Sequence, residues 1–324
     1  MKKQISFAIF SGIAALLCLL LLFPFPKENT PPASSAASSV QSTPVVTSTP
    51  APTTTEPLPT PAPDAIRASH AFAFDALTSD IYYIKGNMHE KVAPASLTKL
   101  FTALVVLEIL DKDTVVKVGE EVTWISPNSS IAYLGKGQKL TVDMLIEGML
   151  LQSGNDAAYT LAVAAGRALS NNSKLSAKGA LKAYMEHMNK RAQDLGLTGT
   201  QFINPDGIDA KGHYTTIADL MTIAQLSLQN DTIAQYAGMA KDNVKFASGQ
   251  TASWKNTNEL LQKSSKYYCE QAIGLKTGST TDAGKCLISA FRTDDGDILV
   301  VGVLGCKSDK IRYQDTLLLH DLYK

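Results

Sequence analysis

The chain has 324 residues and balances Lys+Arg 30 against Asp+Glu 30, for a formal net charge of zero. That balance supplies no field to draw it onto nucleic acid or an acidic surface, so both partners are excluded from the reading.

In chain order, Lys2 and Lys3 precede an almost unbroken apolar run from Ile5 to Phe25. A signal-peptide core is usually ~7–15 residues, whereas ~20 are needed to cross a bilayer. No small-x-small cleavage site follows closely, so residues 1–26 are read as an uncleaved membrane anchor, with a cleaved signal peptide as the alternative. The preceding lysines place the N-terminus in the cytoplasm and the rest of the chain outside the cell membrane. Residues 27–64 hold nine of the fourteen prolines among Ser, Thr and Ala, with few charges and no aromatics. Such a segment buries too little apolar surface to offset its ordering entropy and reads as a linker. Its reach lies between roughly 35 Å as a coil and roughly 110 Å as extended polyproline.

Residues 65–324 can bury a large core. "SHAFAFDA" and "IYYIKG" read as two strands joined by "LTSD". A helix from Ser96 to about Leu110 is apolar nearly all round, the pattern of a helix buried on every side. Strand-like pieces "TVVKV" and "EVTW" follow, then a polar loop around "SPNSS". Helices are expected over 141–152, 156–169, 177–195 and 216–229, the last capped by Thr215 or Thr216, with a shorter one near 231–239. The pattern then returns to strands in "VKFA", "AIGLKTG" and a hairpin at 284–305 turning at Asp294–Asp297, before a final helix over 309–323. Strands at both ends around a helical block predict an α+β fold: one mainly antiparallel sheet flanked by helices, with an inserted all-helical lobe. Cys18 lies in the apolar run, leaving Cys269, Cys286 and Cys306; the hairpin would bring Cys286 near Cys306, where a cross-strand disulfide is possible. No metal-ligand spacing and no cofactor motif is present.

Three short pieces carry chemistry. Ser-x-x-Lys occurs once, at Ser96–Lys99, where the i, i+3 spacing puts hydroxyl and amine on one helix face. The helix N-terminus adds free N–H groups and positive potential for a developing oxyanion. Alone, the pair reads equally well as an N-cap beside a snorkelling lysine, although the neighbours of Lys99 are apolar on all sides. Ser153-Gly154-Asn155 lies between two helical stretches; Ser-x-Asn recurs at Ser126 and Ser170, so the tripeptide alone is uninformative. Lys276-Thr277-Gly278-Ser279 sits on an apolar strand, and its spacing to Gly284-Lys285 does not fit a P-loop.

Ser-x-x-Lys, then Ser-x-Asn, then Lys-Thr-Gly is the order used by penicillin-recognising serine enzymes. With the flanks "PASLTKLFTAL", "LLQSGNDAA", "FINPDGI", "WKNTNELL" and "GLKTGSTTDAGKCL", residues 66–323 resemble the serine-type D-alanyl-D-alanine carboxypeptidases, the low-molecular-mass penicillin-binding proteins of peptidase family S11. The resemblance implies a β-lactamase/DD-peptidase-like fold and removal of the terminal D-Ala from peptidoglycan stem peptides, with β-lactams as covalent inhibitors. It implies Ser96 as nucleophile, Lys99 as its base and Ser153 as proton relay. Asn155 would hold the substrate amide, and the N–H groups of Ser96 and Ser279 would bind the oxyanion. Lys276, Thr277, Gly278, Ser279 and Arg312 would form the site for the terminal carboxylate. Lys99 serves as a base only when neutral, and a charge on Lys276 in the same site would lower its pKa.

Family members often add a β-rich domain and a C-terminal membrane-binding helix; here the N-terminal anchor is expected to take over attachment. Competing readings are a D,D-endopeptidase or transpeptidase on the same scaffold, a class A β-lactamase, and a non-catalytic wall-binding or β-lactam-sensing module. The β-lactamase is disfavoured because the nearest Glu-x-x-Asn, Glu186 to Asn189, falls in an amphipathic helix and not a loop.

Overall fold

The computed structural model describes residues 58–62 and 64–324. The anchor or signal segment at 1–26, and the linker at 27–64 apart from 58–62 and 64, lie outside the described residues. Among the described residues no helix is long and apolar enough to cross a membrane.

The elements follow as β1 (His70–Asp75), β2 (Ile81–Lys85), α1 (Thr98–Ile109), β3 (Val115–Lys117), β4 (Lys139–Thr141), α2 (Val142–Leu151), α3 (Asn155–Leu169), α4 (Ala177–Asp194), α5 (Ile217–Gln229), α6 (Asp231–Gly238), β5 (Lys241–Lys245), β6 (Thr251–Lys255), β7 (Ala272–Thr280), β8 (Gly284–Arg292), β9 (Ile298–Cys306) and α7 (Asp309–Tyr323). Five strands form one antiparallel sheet in the order β2-β1-β9-β8-β7, so the first two strands close against the last three. Both faces of this sheet are covered, which explains its near-continuous apolar strands. Phe72, Phe74, Cys286, Ile288, Ala290 and Val300 join the core that holds α1, α2 and α3. Their neighbours Ala71, Ala73, Leu287, Phe291, Leu299 and Val301 pack with Tyr313 and Leu319 of α7. Period-two alternation thus feeds two cores from one sheet. Gly302 lies opposite Phe72 in the ladder, and any Cβ there would meet the Phe72 ring at 2.1 Å.

The block between the two parts of the sheet is helical but also carries two-stranded ladders, β3-β4 and β5-β6. Helix α1 is buried along most of its length, as its all-round apolar pattern requires. Thr216 caps α5, its hydroxyl accepting the Asp219 N–H at 3.2 Å. The "EVTW" strand is not formed. Residues Glu120–Thr123 make a 3-10 turn, because the Glu121 carboxylate folds back to accept the Gly119 N–H at 2.6 Å. β5 begins earlier than "VKFA" suggests, and β6 escapes the sequence pattern because of its five residues only Trp254 is buried.

The possible Cys286–Cys306 disulfide is not formed: Cys269, Cys286 and Cys306 are all free and buried. The β8–β9 hairpin forms and turns where expected, Thr293 N–H donating to the Asp297 carbonyl. Its register, however, pairs Cys306 with Lys285. Cys286, one residue on, faces the helical core while Cys306 faces α7.

Candidate active site

The site is assembled at the N-terminus of α1, where residues Ala95–Leu97 form a 3-10 turn that runs directly into the helix. Ala95 holds a left-handed φ of 49° while fully buried, a conformation sustained only by dense surroundings. Two glycines make those surroundings possible. A Cβ on Gly278 of β7 would lie 2.9 Å from the Ala95 Cβ, and one on Gly207 (φ +87°) would lie 1.9 Å from the Ala95 carbonyl oxygen. Strand and loop therefore clamp the turn that carries Ser96.

Lys99 is completely buried. Its Nζ lies 2.9 Å from Ser96 Oγ and donates to the Asp206 carbonyl at 2.6 Å. Burial pushes the Lys99 pKa down to about 8, against opposing attraction from Asp206 and Asp156. A neutral amine has two N–H groups and one lone pair. With Asp206 receiving an N–H, the lone pair is available to the Ser96 hydroxyl. Lys276, on β7, is also buried, and its Nζ donates to the Thr277 carbonyl at 3.2 Å. Its pKa falls well below the ordinary lysine value through burial first, then the charges of Lys99 and Arg312. The expectation that Lys276 depresses Lys99 does not hold: burial is what lowers Lys99, and it is Lys276 that is lowered in part by the charge of Lys99.

Helix α2 ends at Leu151, and Ser153 takes a left-handed φ of 58° before Gly154 and Asn155 start α3. Asp156, in the first turn of α3, accepts the N–H groups of Ala132 at 2.7 Å and Leu134 at 2.9 Å. Asn155 N–H reaches the Ser130 carbonyl at 2.9 Å. These bonds fix the "SPNSS" loop as one wall of a cleft of about 460 Å³, whose lining includes Ser96, Asn155, Asp209 and Ser279. A larger groove of about 650 Å³, with Trp124, Tyr159 and Met185 among its lining residues, contains none of the reactive side chains.

Thr277 is buried and pairs its hydroxyl with that of Thr257. Arg312 is not a surface residue of the last helix: it is 6% exposed and donates to the carbonyls of Gly278 and Cys286, both at 3.3 Å, and pairs with Asp309 at 2.7 Å. Residues not marked in the sequence tie the loop that carries Asp206 to the start of α1. His213 Nδ1 accepts the Ile203 N–H at 3.1 Å, which fixes Nε2–H as donor to Thr98 Oγ1 at 3.0 Å. Thr102 holds the Pro205 carbonyl at 2.8 Å. The one available signal was the Pro-Asp-Gly turn within "FINPDGI".

This geometry can be set beside known proteins. Residues 57–308 match peptidase family S11, D-alanyl-D-alanine carboxypeptidase. The chain belongs to that family. It is 31% identical over 252 residues to the D-alanyl-D-alanine carboxypeptidase DacF of Bacillus subtilis, covering 76% of this chain and 60% of that protein. It is 34% identical to the D-alanyl-D-alanine carboxypeptidase of Streptomyces sp. K15, covering 77% of this chain and 84% of the relative. The crystal structure of the Streptomyces K15 DD-transpeptidase superposes with a TM-score of 0.70 at 32% identity, over 79% of this chain and 97% of that one. DacD of Francisella tularensis gives 0.66 at 27% identity, over 83% and 73%. The α+β DD-peptidase fold of the S11 family is therefore shared. The chain spans about 60% of the length of DacF and 55% of that of DacC from Escherichia coli.

Proposed function

We propose that this S11 member is a serine-type D-Ala-D-Ala carboxypeptidase that removes the terminal D-Ala from peptidoglycan pentapeptide stems through an acyl-enzyme on Ser96. The observation that carries the reading is the 2.9 Å contact between Ser96 Oγ and a buried Lys99 whose pKa is lowered to about 8. A serine hydroxyl is a weak nucleophile and needs such a base beside it. Neutral Lys99 takes the Ser96 proton as Oγ attacks the carbonyl of the penultimate D-Ala, and the N–H groups of Ser96 and Ser279 bind the oxyanion. Ser153 relays a proton to the leaving amine of the terminal D-Ala, while Asn155 holds the substrate amide. Lys276, Thr277, Ser279 and Arg312 receive the terminal carboxylate, and Gly278 lets β7 approach closely enough to do so. Water then attacks the acyl carbonyl, releases the shortened stem and restores the Ser96 hydroxyl. A β-lactam would acylate Ser96 in the same way and remain attached.

On this reading the protein works at the outer face of the cell membrane, attached through residues 1–26, with residues 27–64 as tether. The test is mass spectrometry of a pentapeptide muropeptide incubated with the full chain. Loss of one D-Ala supports the proposal. A cross-linked product would mark a transpeptidase, the activity for which the Streptomyces K15 structure is named. Penicillin labelling of a Ser96→Ala variant would sink the nucleophile assignment.

A further inference from the structure

At the far end of β7, Ser279 is paired across the ladder with Lys285 of β8. Lys285 Nζ donates to Ser279 Oγ at 2.9 Å. Ser279 is exposed and lines the same cleft as Ser96. A hydroxyl that accepts from an ammonium keeps its own O–H free to donate elsewhere, and the accepted bond polarises that O–H further. Among the described residues the Ser279 hydroxyl has no other side-chain partner, so its proton is available to whatever occupies the cleft.

Besides Ser279, Lys285 has only a long ion pair, with Asp309 Oδ2, among the described residues. That pair is 3.9 Å long, whereas Asp309 Oδ1 lies 2.7 Å from Arg312, so Asp309 is shared and held more tightly by Arg312. Arg312, the cation expected to meet the substrate, spends Nη1 on two backbone carbonyls and Nη2 on Asp309 and the Tyr313 hydroxyl. Lys276 is 1% exposed and its Nζ already donates to the Thr277 carbonyl. Lys285, with its side chain 36% exposed, is the cation standing one hydrogen bond behind the cleft wall.

We propose that Lys285 is a positioning residue for an anionic substrate end: it turns the Ser279 hydroxyl into an oriented donor and selects ligands with a free carboxylate beside the reacting carbonyl. This rests on the peptidase reading above and adds to it a residue that the Lys-Thr-Gly-Ser motif does not contain. The ammonium does no covalent chemistry, so its effect falls on binding and orientation.

The experiment compares acylation of the full chain by a penicillin and by the methyl ester of the same penicillin. In Lys285→Met the second-order rate for the free acid drops about tenfold, the size of one lost charge-assisted hydrogen bond, and the ester rate changes less than about twofold. Lys285→Arg restores most of the free-acid rate. In a Ser279→Ala background Lys285→Met has little further effect, because the two act as a unit. Equal slowing of acid and ester, or no slowing of either, would overturn the role of Lys285 while leaving the peptidase reading intact. A wild-type chain that neither form labels would overturn the peptidase reading, and this inference with it.

Discussion

Lys99 Nζ donates to the backbone carbonyl of Asp206 at 2.6 Å, a bond that spans 107 residues of chain. It fixes the amine against the 202–207 loop, with Ser96 Oγ 2.9 Å from the same nitrogen. The carbonyl is aimed by a turn in which Asn204 Oδ1 accepts the Gly207 N–H at 2.7 Å and Gly207 holds φ +87°. Gly207→Ala would place a methyl 1.9 Å from the Ala95 carbonyl oxygen and also strain the turn. The variant should lose on the order of 2 kcal/mol or more of stability. It should lose penicillin labelling more steeply than its melting temperature implies, which thermal melts and labelling rates on one preparation would compare. Full labelling in a folded variant would show that the Asp206 carbonyl is not needed.

His213 holds the other end of that loop and is neutral: burial lowers its pKa to about 4, despite nearby Asp209. The sign follows from the depression. The folded state prefers the neutral ring, so its stability is complete above the unfolded-state value near 6.5 and is lost as pH falls toward 4. The loss approaches roughly 3 kcal/mol at the acid end, taking about 1.36 kcal/mol per pKa unit. Melting temperature measured between pH 7 and 4 should fall in the wild type. In His213→Gln, less stable at pH 7, it should fall less. Parallel acid profiles for the two proteins would remove His213 as the cause.

What was legible in the sequence was what is local. The all-round apolar run of α1, the alternation of β1 and the i, i+3 spacing of Ser96 and Lys99 each follow from a few neighbouring residues, and each is found where expected. The unread parts depend on partners distant in sequence. The Asp206 carbonyl is a backbone group, and the Pro-Asp-Gly turn that carries it says nothing of the lysine it meets. The Lys285–Ser279 bond exists only because β7 and β8 pair in one register. Arg312 could be assigned to a carboxylate by resemblance, but nothing local shows that a surface-like i, i+3 pair with Asp309 lies against Gly278 and Cys286. "EVTW" failed as a strand because a single glutamate found a backbone donor two residues away.

Register also decides the cysteines. Because Cys286 and Cys306 emerge on opposite faces, all three cysteines of the sheet region should alkylate after unfolding without prior reduction. Burial pushes the Cys286 thiol up to about 11 and the Cys306 thiol up to about 12, so both should resist alkylation at pH 8 in the folded protein. Reductant should leave the melting temperature unchanged within about 1 °C, since a native disulfide of ordinary worth would register several kcal/mol. A drop on reduction would show that the two strands pair differently in solution.

With Lys99 as the proposed base, its lowered pKa sets the pH dependence expected for acylation. The amine accepts the Ser96 proton only when neutral, and with a pKa of about 8 the neutral fraction grows tenfold per pH unit below that value. Penicillin acylation should therefore rise about tenfold per unit from pH 5 to 7, bend near 8 and flatten above. Lys99→Arg should be inactive across the range, because a guanidinium stays charged and offers no lone pair. Lys99→Met should be equally inactive while remaining folded, since an apolar side chain suits a site with no solvent exposure. Rates that stay flat from pH 6 to 8, or an active Lys99→Arg, would remove Lys99 from the proton transfer and leave the role to Lys276.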